Sequence, residues 1–112
     1  MLKIRSYVSK DGADPFVLWT RNLRDTKARV AIDRRLTRVA MENFGDHKFC
    51  TDGVWELRID VGAGYRVYYA FEAQEVVLLL GGGDKSSQSA DIRRAVARLY
   101  DWRKRQDERQ KL

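Results

Sequence analysis

Hydrophobic positions along the chain follow two periods, and the change from one to the other separates strands from helices. In residues 2–8, LKIRSYV, Leu2, Ile4 and Val8 fall on one side and Lys3, Arg5 and Tyr7 on the other, the alternation of a half-buried strand. Residues 10–15, KDGADP, read as a turn in which Asp14 caps a helix and Pro15 takes its first position. A short helix follows to about Asn22, carrying Phe16, Leu18 and Trp19, with Leu23 close behind. In the next segment Ala28, Ile32, Leu36 and Val39 recur at i, i+4, i+8 and i+11, one apolar stripe of a longer helix. Gly45 is its expected stop. Together these segments predict a helical hairpin.

Beyond Gly45 the period becomes two. Trp55, Leu57 and Ile59 share one face and Glu56, Arg58 and Asp60 the other; then Tyr65, Val67, Tyr69 and Phe71 oppose Arg66, Tyr68 and Ala70. The apolar faces of an antiparallel pair must coincide, which a three-residue loop Gly62-Ala63-Gly64 achieves. That register pairs Ile59 with Val67, Leu57 with Tyr69, Trp55 with Phe71, Asp60 with Arg66 and Arg58 with Tyr68. Residues 75–80 form an unbroken apolar strand, the mark of a position covered on at least one face. From Gln88 a last helix puts Ile92, Ala95, Val96 and Leu99 on one face, with Arg93, Arg94 and Arg98 away from it. The fold class predicted is α+β: a strand, a helical hairpin, three strands and a C-terminal helix, with a mostly antiparallel sheet and the helices on one face. Residues 1–103 are expected to be a single domain and 104–112 a basic, frayed tail.

Composition narrows the function. At 112 residues with 44% hydrophobic and 11% aromatic side chains, the chain is globular rather than disordered. No apolar run is long enough to span a membrane, and the N-terminus mixes charge too finely for a signal peptide. Cys50 is the sole cysteine, so no internal disulfide is possible and a cytoplasmic location is expected. The formal charge is +6, and it is unevenly placed. Residues 21–38 hold seven basic side chains against two acidic, and residues 102–112 five against two. Such a surface attracts polyanions, although solvated helix faces also look like this.

The segment GGGDKSS, residues 81–87, has the outline of a phosphate-binding loop after a strand. Its spacing is wrong, because Asp84 separates Gly83 from Lys85 where the nucleotide motif requires glycine next to lysine. Here the glycines are expected to turn the chain out of its last strand, with Ser86 or Ser87 capping the helix. One histidine and one cysteine offer little to a metal, and no metal or cofactor is expected. His47, in GDHKF, reads as a solvated turn residue, and Tyr100 as a packing residue. What remains is a cationic set on the sheet's open face: Arg58, Arg66 and Lys85, with Tyr68 beside them and Lys48 just before the hairpin.

The motifs GDHK, ELRID, GAGYRVYY and LLLGGGDKSSQSADIRRA follow in an order and spacing that resemble the RelE/ParE-like addiction-module killer proteins. The likeness is to the short, phage-derived Gp49-like and HigB-like branch, over roughly residues 1–103. The resemblance implies a small RelE-like fold, a twisted antiparallel sheet with a helical hairpin on one face. It also implies the toxin of a type II toxin–antitoxin pair, a metal-independent endoribonuclease that cuts messenger RNA, usually on the ribosome. RNA supplies its own nucleophile in the 2′-hydroxyl. The enzyme must remove that proton, stabilise charge on phosphorus and protonate the leaving oxygen. Carried over by position, Arg58, Arg66, Lys85 and Lys48 match the family pattern, and with Tyr68 beside them they make the expected catalytic set: arginines for charge, lysines or the tyrosine for protons. Arg34, Arg35, Arg93 and Arg94 are the expected RNA-binding cations. The implied partners are a cognate antitoxin with a helix-turn-helix domain, messenger RNA and the ribosome, and promoter DNA through the antitoxin. A ParE-like gyrase inhibitor and a non-catalytic antitoxin-binding protein are the alternatives.

Overall fold

The computed structural model describes residues 1–73 and 75–111. It is α+β, with five strands, β1 Lys3–Ser6, β2 His47–Thr51, β3 Val54–Ile59, β4 Tyr65–Glu72 and β5 Val76–Asp84. The helices are α1 Pro15–Asn22, α2 Thr26–Ala40 and α3 Gln88–Gln110, the last preceded by a 3₁₀ turn, Lys85–Ser87. The sheet order is β1-β5-β4-β3-β2; β1 runs parallel to β5 and every other pair is antiparallel. Both hairpin helices begin as their sequences direct. Asp14 accepts a hydrogen bond from Val17 N ahead of Pro15, and Asp25 accepts one from Ala28 N.

Several expectations are corrected. The segment containing His47 is a strand, β2, reversed by Asp52-Gly53, both at positive φ, the geometry of a two-residue hairpin turn. The β3–β4 register is shifted by two residues, pairing Leu57 with Val67, Arg58 with Arg66 and Ile59 with Tyr65. The connection runs over residues 60–64 because the chain turns within itself there: Val61 O accepts from Gly64 N, and Gly62 and Gly64 take positive φ. An even shift preserves which face each side chain occupies, so the apolar faces still coincide.

Third, helices cover both faces. Leu57, Ile59, Tyr65, Val67, Tyr69, Val77 and Leu79 pack beneath Phe16, Ala28, Ile32 and Val39 of α1 and α2. On the other side Val54, Tyr68, Ala70, Leu78 and Leu80 pack against Ala95 and Leu99 of α3. α3 continues through the segment expected to fray, as far as Gln110. It is tied down by Tyr7, whose hydroxyl donates to Asp101 at 2.6 Å, and by Arg105, which donates to Val8 O at 2.6 Å.

Fourth, Gly81, Gly82 and Gly83 do not turn the chain out of the strand; they lie within β5, opposite Tyr68, Val67 and Arg66. Their missing side chains admit partners from both faces. A methyl at Gly82 would overlap the Trp19 ring of α1, and one at Gly83 the Asp91 carboxylate of α3. At Gly81 it would meet the Arg98 guanidinium, which donates to Leu80 O. The cap also differs: Asp84, rather than a serine hydroxyl, accepts from Ser86 N at 2.8 Å, and Ser87 makes no side-chain cap bond.

Candidate functional site

Even-numbered positions of β3 and β4 face α3, and the strand register lines them up in rows. Lys48, Glu56, Tyr68 and Gly81 form one row across four strands; Arg58, Arg66 and Gly83 form the next. α3 begins over Gly83, at the β5 end of the arginine row, and then runs over the Tyr68 row, where Gln88 reaches Glu56 and Arg98 meets Gly81; Arg58 and Arg66 are left at the rim. There Asp46, Arg58, Asp60, Gly64, Arg66 and Lys85 line a shallow cleft of about 190 Å³. Lys85 reaches it because its N–H donates to Gly64 O at 3.0 Å and Gly64 leaves room for its aliphatic stem.

At the back of the cleft is Glu56, fully buried and the single buried charged side chain among the described residues. Its Oε1 lies 3.6 Å from Lys48 Nζ and accepts from Arg58 Nε at 3.4 Å. Its Oε2 lies 3.2 Å from Arg66 Nε and accepts from Gln88 Nε2 of α3 at 3.4 Å. The Arg66 Nε–H is not aimed at the carboxylate and has no hydrogen-bonded partner among the described residues. No hydrogen bond from the terminal nitrogens of Arg58 or Arg66 is present among the described residues, so those forks are available to an oxyanion.

Arg58, Arg66, Lys85 and Lys48 are therefore brought together. Tyr68 is not on an open face: it is completely buried under α3, and its hydroxyl has no hydrogen-bond partner among the described residues. Burial, reinforced by the Glu56 and Asp91 charges, pushes its ionisation well above the ordinary tyrosine range. It is a neutral O–H with no exposed path to a substrate in this conformation. Arg34 is exposed on α2, on the opposite side of the sheet. Arg35 is half-buried and donates to the carbonyls of Phe44 and Asp46, bracing the chain just ahead of β2. Arg93 and Arg94 are exposed on α3, Arg94 paired with Asp91 at 3.0 Å. With α2 and α3 on opposite faces, these four arginines do not form one surface.

His47 is not a solvated turn residue. Its ring stacks between Phe44 and Trp55, and Nδ1 lies 2.7 Å from the Tyr69 hydroxyl. Tyr100 does not pack: it is 71% exposed and borders a groove with Asp52, Leu99 and Arg103. Cys50 is partly buried, as expected, and burial raises its thiol above the ordinary range. The residue that sequence reasoning passed over is Glu56. Its signal was present: it shares a strand face with Arg58, and one acid among cations on a face is a candidate counter-ion.

The chain matches the family described as Phage derived protein Gp49-like (DUF891) over residues 22–99. It is also 46% identical over 80 residues to an uncharacterized protein of Haemophilus influenzae, covering 71% of this chain and 81% of that one. No helix among the described residues is long and apolar enough to cross a membrane. A match over most of its length, on an α+β fold compatible with the small RelE-like architecture, establishes that the chain belongs to the phage-derived Gp49-like family, within the RelE/HigB-like group of addiction-module toxins.

Proposed function

We propose that the protein is the toxin of a type II toxin–antitoxin pair and an endoribonuclease that cuts messenger RNA on the ribosome, held in check by a cognate antitoxin. The observation that carries this is the Arg58–Arg66 pair, directly opposed on β3 and β4 beside Lys85, with unpartnered guanidinium forks in an open cleft. Family membership supports the toxin role. A guanidinium stays charged and can grip two non-bridging oxygens at once, so Arg58 and Arg66 are assigned to the scissile phosphate. The 2′-oxygen attacks phosphorus as the bond to the 5′-oxygen breaks, leaving a 2′,3′-cyclic phosphate and a 5′-hydroxyl. Lys85 is assigned to donate the proton to the departing 5′-oxygen. Asp46 and Asp60 are the carboxylates among the cleft's lining residues and are assigned to receive the 2′-hydroxyl proton. Lys48 adds charge from behind, through Glu56, and Tyr68 supports the strand rather than reaching RNA.

The test is induction in growing cells with transcript ends mapped, comparing the wild type with R58A/R66A. Expected are growth arrest and new cuts ending in cyclic phosphate for the wild type, and neither for the folded double variant. Full arrest in R58A/R66A, or arrest with a DNA supercoiling defect and uncut transcripts, overturns the reading.

A further inference from the structure

Glu56 has no place in the proton and phosphate chemistry above, yet it is the most heavily coordinated side chain in the site. Four side chains converge on its carboxylate from four elements: Lys48 on β2 and Arg66 on β4 as ion pairs, and Arg58 on β3 and Gln88 at the start of α3 as hydrogen-bond donors. In both arginines the nitrogen nearest Glu56 is Nε, which leaves the two terminal nitrogens for an end-on forked grip on phosphate. From this geometry we infer that Glu56 is the positioning residue of the cationic cluster, an internal counter-ion that holds Arg58 by an Nε hydrogen bond and Arg66 by charge alone, and leaves their terminal nitrogens for the RNA backbone. This inference rests on the endoribonuclease reading only for its effect on cleavage.

Three features make the carboxylate an organiser rather than an ordinary ion pair. It is fully buried, whereas its partners are not: the side chains of Lys48, Arg58 and Arg66 are 52%, 35% and 13% exposed. A buried carboxylate with several donors has one position, and side chains tethered to it inherit that order. Arg58 and Arg66 also sit directly opposite each other across the strands, a like-charge pairing that is unfavourable unless a counter-charge lies between them. Gln88 ties the same carboxylate to α3, so the arginines are registered against the helix that walls the site. Without the charge, Lys48 and Arg58 are exposed enough to swing into solvent, while Arg66 stays enclosed beside an uncompensated row.

The consequence separates order from charge. Glu56→Gln raises the local charge by one, which favours anion binding, but it removes the anchor that aligns the forks. It leaves two donors facing an amide N–H₂. Misplacement by about 1 Å costs on the order of 100-fold in rate. The expected signature in Glu56→Gln is therefore kcat lowered by at least ~10-fold with KM for RNA unchanged or smaller. Inorganic phosphate should bind the full chain more tightly than it binds wild type. A loss of folded protein lowers the rate without tightening phosphate, so the split is not produced by a purely structural role.

The experiment uses full-length protein labelled with ¹⁵N at arginine. The Nε–Hε resonances of Arg58 and Arg66 are followed during phosphate titration, alongside kcat and KM on RNA with and without ribosomes. Wild type should show the Arg58 Nε–Hε protected from exchange, and Glu56→Gln should show it averaged and fast-exchanging. Glu56→Asp keeps the charge but withdraws the carboxylate by one methylene. It should recover part of the lost rate, and it serves if the glutamine variant does not fold. Unchanged arginine resonances and phosphate affinity in Glu56→Gln, or wild-type kcat and resonances in Glu56→Asp, overturn the inference. If wild type cleaves no RNA, the endoribonuclease reading falls, while the phosphate and resonance measurements still decide whether Glu56 organises the cluster.

Discussion

Replacing Tyr68 with phenylalanine decides whether its hydroxyl belongs to the packing beneath α3 or to the chemistry of the cleft. The ring is fully buried between β4 and α3, and its hydroxyl has no partner among the described residues. A buried hydroxyl left without a hydrogen bond costs about 1–3 kcal/mol by mutational measure. Phenylalanine keeps the ring contacts with Leu80, Ala95 and Leu99 and deletes only the oxygen. The void left is on the order of 10 Å³, which costs about 0.2 kcal/mol at ~24 cal/mol per Å³. The net expectation is a gain of about 1–2.5 kcal/mol. For a domain of this size, with unfolding entropy of about 2.1 cal/mol/K per residue, each kcal/mol moves Tm by about 4 °C, so Tm should rise by about 4–10 °C. Urea unfolding followed by tryptophan fluorescence measures the free energy, and growth arrest on induction measures function, which should be unchanged. A Tyr68→Phe protein less stable than wild type by about 1 kcal/mol would show that the hydroxyl has a partner in solution. A stable variant that no longer arrests growth would return Tyr68 to the chemistry and require α3 to open.

Two further outcomes test the packing that frames the site. Gly82→Ala should destabilise by about 1–3 kcal/mol, because the new methyl overlaps the Trp19 ring held against Tyr65; wild-type stability in urea would mean that α1 does not sit on β5. Asp101 is held below the ordinary carboxylate range, first by the Tyr7 hydroxyl that donates to it and then by Arg105. A depressed folded-state pKa means that the unfolded chain binds the proton more readily. The stabilisation is therefore complete above pH ~4 and fades as pH falls through the depressed value. Asp101→Asn should accordingly lie below wild type in Tm at pH 6 and converge with it once the pH has fallen below the depressed value; a gap independent of pH would show that the pair does not titrate with folding.

How much of this was legible depended on whether the pattern alone carried the information. The stripe Ala28, Ile32, Leu36 and Val39 and the alternation in β3 and β4 each name their own buried face, and the structure places those faces as expected. Register is different: parity fixed the face, but the pairing depended on how residues 60–64 fold back, which no hydrophobic period records. β2 was missed because HKFCT is an edge strand without clean alternation, though the Asp52-Gly53 turn signal stood beside it. The side of the sheet taken by α3 is absent from α3's own sequence, since its apolar face suits either surface. The cue lay in β5, where Leu78 and Leu80 are as apolar as Val77 and Leu79, the sign of a strand covered twice. Without that second cover, Glu56, Arg58 and Tyr68 all looked like members of one wet face.

The position of α3 also changes what the charge of the chain can do. Within the site, Lys48, Arg58, Arg66 and Lys85 face Glu56, Asp46 and Asp60, four cations against three carboxylates. Bulk attraction for a polyanion is therefore weak at the place where the chemistry is proposed, and the cluster's contribution must come from fixed geometry in a partly desolvated corner. The surplus of basic residues lies on α2 and α3, on opposite faces of the sheet, where exposed cations steer and hold a polyanion but cannot align it. A surface built this way divides the work: the helices supply long-range attraction that salt screens. The arginine row, backed by a carboxylate that solvent does not reach, keeps its order regardless of salt. Glu56 thus lowers the affinity that raw charge would give and, in the same contacts, supplies the alignment on which the proposed cleavage depends.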